Sequence, residues 1–242
     1  LITAVGIMKL QEMKKLKLNE KVFGPKGILN DTTYNNGIKD QRYYDITVEQ
    51  LLRHQAGFNN YAGDPVSSTR YIMMQNRLTT PPDHKTLLRI LLKRHLGYTP
   101  GQGKCYSNLG YMILSMVIEK KSGMKYENFM QKYVLQPAGC YDMHIAGTYL
   151  KDRRPNETKY YMHQGSIPVY EYNNSGKLVE KCYGDTDLPR LSGAGAWCGS
   201  AAELSRFIAS IDGMPHVKDI LSKKSIQFMT TEQPDHQYSI GW

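Results

Sequence analysis

No apolar run in this 242-residue chain is long enough to cross a bilayer, so no integral membrane helix is expected. Cys105, Cys140, Cys182 and Cys198 form no C-x-x-C pair, which leaves neither a cysteine metal motif nor a redox motif. Their even number permits two disulfides without requiring any, and the compartment stays open. The seven histidines make no ligand-spaced group with acids or cysteines along the chain, and neither a metal nor another cofactor is expected. A basic stripe with interleaved aromatics is also lacking. The 31 Lys and Arg against 22 Asp and Glu give +9, but the lysines come in ones and twos, as at Lys14-Lys15, Lys120-Lys121 and Lys223-Lys224. That pattern reads as solvated helix faces; no nucleic-acid partner is expected, and the charge serves long-range attraction to an anionic cell envelope at most. The Gly-rich run from Ser192 to Ser200 lacks the Lys and Ser/Thr of a phosphate loop. No signal peptide is expected within the given residues, because Ile2, Val5, Met8 or Lys9, and Met13 already trace one side of a helix with Lys14-Lys15 in its last turn.

What is present suits a folded enzyme-sized domain. With 40% hydrophobic residues, the length allows one large domain or two small ones with a sizeable core. The most informative stretch runs from Pro100 to Gly123, PGQGKCYSNLGYMILSMVIEKKSG. Pro100, Gly101 and Gly103 break regular structure, Tyr106-Ser107-Asn108 follow, and Leu109, Met112, Ile113, Met116 and Val117 keep helical spacing up to a Gly123 cap. Asn108 is expected to cap that helix with its side-chain oxygen. Tyr106 then sits beside the positive end of the helix dipole, which favours an anionic phenol. Eighteen tyrosines make a chance Tyr-x-Asn a serious alternative.

The context weighs against chance. Pro-Gly, a short extended stretch, Tyr-x-Asn and a long helix, in this order, resemble the second signature of the serine β-lactamase and penicillin-binding-protein family, in its class C and esterase-like branch. The segment Lys15, Leu16, Leu18, Val22 after the first helix is similar to the one following that family's nucleophile helix, with Lys14 where glycine is common. Ile46 to Phe58 resembles its Thr, Leu-Leu, His, Ser-Gly stretch, with Ala56 for the serine. Pro137-Ala138-Gly139-Cys140 is similar to its Pro-Leu-Gly-Met, and Glu203-Leu204-Ser205-Arg206-Phe207 to its helix after a Gly-rich turn. The resemblance implies one α/β (α+β) domain over 1–242 of β-lactamase/transpeptidase type, an antiparallel sheet flanked by helices plus a mainly helical lobe. Residues 1–22 and 191–242 are expected to border the α/β lobe and 23–190 to form the helical lobe and loops, with the sheet incomplete and both ends of the domain lying outside the chain.

Taken along the chain, Leu16, Leu18 and Val22 alternate as in a strand, and 23–44 reads as loop. Thr47 and Gln50 form a capping box for a helix ending near Gly57. Asp83 to Gly97 bracket a helix with a stripe of Leu87, Leu88, Leu91, Leu92 and Leu96. Met124 to Leu135 is amphipathic, with Tyr126, Phe129, Met130, Tyr133 and Val134 inward. Asn173 to Gly176 marks a hairpin turn between Val169 and Glu180, Ser200 and Glu203 make a second capping box for Ala201 to Ile211, and Tyr238 to Trp242 reads as a strand.

The family's chemistry needs a Ser-x-x-Lys nucleophile pair, the Tyr-x-Asn relay, and a Lys-Thr-Gly or His-x-Gly strand. Only the relay is here: the resemblance implies the Ser and Lys immediately before Leu1 and the third signature beyond Trp242, and Ser122 to Lys125 is a chance match after Tyr106. It implies a serine hydrolase acting on amide or ester bonds, a periplasmic, secreted or cell-envelope location, and a small-molecule or peptide substrate. Tyr106 is the expected general base and Asn108 its partner; Asn59 and Tyr61 in a turn-rich loop, with Gly195, are expected to line the substrate pocket. His54 is expected to brace a loop and not to act as the base. The alternative is a non-catalytic relative that binds peptide or cell-wall fragments.

Overall fold

Helix α6 (Asn108–Ser122) carries ten consecutive buried residues, Leu109 to Ile118, and the helices at Ile2–Glu12, Val48–Leu52 and Tyr126–Met130 pack against it. A helix apolar on every side stays in water only if other elements cover it. The computed structural model describes residues 1–60, 63–231 and 239–241. Ser107, not Asn108, caps α6: its hydroxyl oxygen accepts from the Gly110 N–H at 3.3 Å. Ser107 holds the extended backbone a cap requires, whereas Asn108 has already entered the helix and leaves its side chain for another partner. At the far end Gly123 takes φ 72, the left-handed cap expected of it.

Helix α1 (Ile2–Glu12) crosses α6 and approaches α7 (Tyr126–Met130), which continues as a π-helical turn, Gln131–Leu135. Gly6 makes the approach possible, since a Cβ there would lie 2.6 Å from the Met130 Sδ. Tyr133, expected inward, is only partly buried. Lys14 adopts φ 58, so the position where a glycine is common in the resembling family keeps the glycine-like backbone. Leu16, Leu18 and Val22 are buried as their alternation suggests, but they form no strand: the segment is paired by two isolated bridges, Lys21 to Thr47 antiparallel and Phe23 to Leu29 parallel. The turn at Gly24, φ 91, ends the extension before a ladder can grow.

Residues 23–44, read as loop, hold α2 (Thr32–Asn35), and a 3-10 turn follows at Gln41–Asp45. Asp31 and Asp40 cap them through the Thr33 and Arg42 N–H groups at 2.9 and 3.1 Å. Elements of one turn are too short to leave a periodicity. Helix α3 (Val48–Leu52) has the expected box, Gln50 N–H to Thr47 Oγ1 at 3.3 Å and Thr47 N–H to Gln50 Oε1 at 2.9 Å. It stops well before Gly57 because the backbone turns left-handed at His54, φ 57. Helices α4 (Thr69–Gln75) and α5 (His84–Leu91) follow; Asp83 caps α5 and all five stripe leucines are buried.

The strands are short. The hairpin of β2 (Val169–Tyr170) and β3 (Leu178–Val179) matches expectation, whereas β1 (His144–Ile145) pairs antiparallel with β4 (Trp197–Cys198), a contact no local signal announced. Helix α8 (Ala201–Ala209) carries the second capping box, and α9 (Lys223–Thr230) adds an unforeseen helix. Ser239 to Gly241, read as part of a strand, turn back against α1, where a Cβ on Gly241 would stand 2.9 Å from that of Ala4. Tyr238 and Trp242 lie outside the described residues. The class is mixed α/β, with these two ladders as the antiparallel β structure among the described residues. Among them no helix is long and apolar enough to cross a membrane.

Candidate active site

Tyr106 stands 47% exposed at the edge of a cavity of about 210 Å³ whose walls include Leu1, His54, Tyr111, Ala194 and Gly241. Its hydroxyl donates to Asn108 Oδ1 at 3.1 Å, so the two ends of the Tyr-x-Asn signature meet. The extended Ser107 between them turns both side chains the same way. The backbone around the pair is tied down on three sides. Asn60 Nδ2 donates to the Tyr106 carbonyl, Ser107 N–H donates to His54 Nδ1 at 3.2 Å, and Asn108 N–H donates to Asp64 Oδ2 at 2.8 Å.

His54 lies between two tyrosine rings, 4.7 Å from Tyr106 and stacked at 5.0 Å on Tyr111. Its main-chain oxygen accepts from Tyr98 Oη and from Cys105 N–H at 3.1 and 3.0 Å. Burial, and secondarily the nearby Lys104 charge, lower its pKa to about 4, so the ring is neutral at pH 7 with Nδ1 as acceptor. Burial raises the Tyr111 phenol far above its ordinary range, and its hydroxyl donates to the Leu52 carbonyl at 3.1 Å.

The expected pocket residues fall in different places. Asn59 and Asn60 line a second, smaller cavity of about 80 Å³ beneath Ser107, and Tyr61 lies outside the described residues. Gly195 is exposed, with nothing within 4 Å of where its Cβ would be; Ala194 is the residue of that turn that reaches the Tyr106 cavity. Close backbone packing occurs at Gly193, where a Cβ would meet the Tyr111 carbonyl oxygen at 2.4 Å.

The family model described as Beta-lactamase matches residues 1–242. The chain belongs to the Beta-lactamase family. It is 26% identical over 253 residues to "Penicillin-binding protein 4*" of Bacillus subtilis (strain 168), covering 99% of this chain and 49% of that protein. The chain spans about half the length of the curated relatives it matches. Among solved structures it is similar to a D-stereospecific amidohydrolase from Streptomyces sp., with TM-score 0.65 and 22% identity over 99% of this chain and 67% of that one. The D-amino acid amidase from Ochrobactrum anthropi SV3 is similar at TM-score 0.63 and 19% identity, over 94% of this chain and 57% of that one. Both share the β-lactamase/transpeptidase-like fold.

In this Beta-lactamase domain the sequence reading missed Asp64. Its only local trace is the Gly63-Asp64-Pro65 turn, and only folding places its carboxylate on the first turn of α6. Also missed was a convergence away from the Tyr106 cavity. His144, Glu157 and Cys198 bring three ligand-type atoms within 4.8 Å of one another, a grouping that the absence of ligand spacing along the chain did not foreshadow. Their separation along the chain hid this.

Proposed function

We propose that the intact protein is a serine hydrolase that cleaves amide or ester bonds through an acyl-enzyme, with Tyr106 as general base and proton relay. One observation carries the reading: the Tyr106 hydroxyl is hydrogen-bonded to Asn108 at the head of α6 and opens on a cavity that Leu1 also lines. A serine immediately ahead of Leu1, where the family resemblance implies it, would enter that cavity. The Tyr106 phenolate would accept the serine proton as the oxygen attacks the carbonyl carbon, then donate it to the departing amine or alcohol. Water would repeat the exchange to release the acid. An ordinary phenol with pKa near 10 is too weakly ionised for this at neutral pH. The N-terminus of α6 favours the anion, and the lysine of the Ser-x-x-Lys pair would add to it. Asn108 would hold the lysine or the substrate amide.

The neighbours named as a D-stereospecific amidohydrolase and a D-amino acid amidase make D-amino-acid amides the first substrates to assay. The test is the intact mass of the full-length source protein after exposure to a fluorophosphonate, which gives a stoichiometric adduct on a serine adjoining Leu1. Folded protein with no adduct overturns the proposal in favour of a relative that only binds peptide or cell-wall fragments.

A further inference from the structure

We propose that His144, Glu157 and Cys198 form a binding site for a zinc-like divalent cation, separate from the Tyr106 cavity. The β1 and β4 ladder sets His144 directly opposite Cys198, which puts imidazole and thiol on one face as cross-strand neighbours. Glu157 comes over them from the loop after a 3-10 turn, Leu150–Asp152, held by its carboxylate accepting from the Arg154 N–H at 3.2 Å and its carbonyl from Arg153. The side chains of His144 and Glu157 are 9% and 6% exposed.

The imidazole is oriented as a ligand. His144 Nδ1 lies 2.7 Å from the Asp142 carbonyl, an acceptor only, so Nδ1 carries a proton and the neutral ring has its lone pair on Nε2. That arrangement, ring N–H to a backbone carbonyl and the other nitrogen toward the ion, is how zinc-ligating histidines are held. Nε2 is buried and makes no hydrogen bond. The competing account is an ion pair, since Nε2 is 3.5 Å from Glu157 Oε2. It calls for a second proton on His144 and still leaves the Nε2 donor without a hydrogen bond.

Nitrogen, oxygen and sulfur donors together suit a borderline cation such as Zn²⁺ and disfavour Mg²⁺ and Ca²⁺, which take oxygen shells. A thiolate and a carboxylate neutralise the two positive charges, so burying the ion leaves no net charge behind. Bonds of roughly 2.0–2.3 Å in a tetrahedron need ligand atoms about 3.3–3.8 Å apart, so the present spread closes by a contraction of about 1 Å. All three residues line one cavity of about 600 Å³, which leaves the fourth corner to water or an anion. On binding, the Cys198 S–H bond breaks, the sulfur–metal bond forms, and the proton leaves to solvent.

The experiment uses tag-free protein, stripped with a chelator and titrated with Co²⁺, then Zn²⁺. One Co²⁺ per chain should give a thiolate-to-cobalt charge-transfer band that Zn²⁺ abolishes. The band should survive Cys105→Ser and Cys182→Ser and vanish in Cys198→Ser. His144→Ala should weaken binding by more than about 100-fold, since even residues that only orient ligands contribute about 10–100-fold. Zn²⁺ should also raise Tm of the unmodified protein in proportion to log concentration, reversed by chelator. A stripped, folded protein with no thiolate band overturns the proposal without recourse to any variant, as does a band that persists in Cys198→Ser. Neither readout depends on turnover, so failure here is distinguishable from failure of the hydrolase reading.

Discussion

The Ser107 amide and His54 Nδ1 are joined by one hydrogen bond of 3.2 Å across 53 positions of sequence. It fixes the neck of α6, and it exists only while His54 is neutral. A proton on Nδ1 would replace the acceptor with a second donor facing the first.

A pH dependence of stability follows. The folded pKa of His54, about 4, lies below its ordinary 6.5, so as pH falls the unfolded chain takes up the proton first. This contribution is complete above pH 6.5, is lost on acidification from there to about 4, and amounts to roughly 3 kcal/mol at most. Urea unfolding at about pH 7.5 and about pH 4.5 measures it. A His54→Asn variant should show a smaller difference between the two, and an unchanged difference would refute the assignment.

The cap of α6 and the proposed relay are adjacent residues with separable effects. Ser107→Ala should lower stability by about 0.5–2 kcal/mol through loss of the Gly110 contact. Tyr106→Phe, at a half-exposed position, should leave stability nearly unchanged while cutting kcat of the intact enzyme by about 10²–10⁴-fold. Calorimetry and steady-state kinetics on the same preparations decide it, and near-normal turnover in Tyr106→Phe removes the tyrosine from the mechanism.

Two glycines of one turn should part company. Gly193→Ala drives a Cβ to 2.4 Å from the Tyr111 carbonyl and 2.8 Å from Ser115 Cβ, and should cost about 1–3 kcal/mol. Gly195→Ala meets nothing within 4 Å and should stay within about 0.5 kcal/mol of the parent. If Gly195 contacts substrate, its alanine variant raises KM at unchanged Tm; equal melting temperatures for the two variants would contradict the packing described.

Tyr126 closes a polar triangle inside the apolar core. Thr3 gives its hydroxyl proton to the Gly193 carbonyl, so the Tyr126 hydroxyl donates to Thr3, 2.7 Å away, and accepts from Trp197 Nε1 at 3.3 Å. Burial pushes its pKa up to about 12, which keeps the donor in place at any ordinary pH. Tyr126→Phe should cost about 1–3 kcal/mol in chemical denaturation, because the buried Thr3 oxygen loses its donor and the part-buried Trp197 N–H loses its acceptor. A neutral substitution would mean the triangle adds nothing.

Whatever depends on neighbours along the chain could be read from the residues in order. The Thr47–Gln50 and Ser200–Glu203 boxes, the leucine stripe of α5, the Gly123 cap and the hairpin around Asn173–Gly176 all draw on contacts within a few positions, where propensity and hydrogen-bond geometry act directly. Tyr-x-Asn belongs to the same class, since one extended residue between two side chains makes them meet at any helix start. The misjudged cap illustrates the margin: Ser107 and Asn108 are both good capping residues, and the fold leaves the serine, whose N–H donates to His54 Nδ1, as the last residue outside the helix.

Folding alone could reveal the rest. Asp64 reaches α6 across 44 positions, the α1 face closes on Gly241, and His144 meets Cys198 across a ladder no turn signal announces. Each depends on burial of apolar surface that brings distant segments into one core, a force without direction along the chain. Composition and spacing therefore determined that this chain would build capped helices around Tyr106, while burial decided which distant side chains would share its cavity and which would converge beyond it.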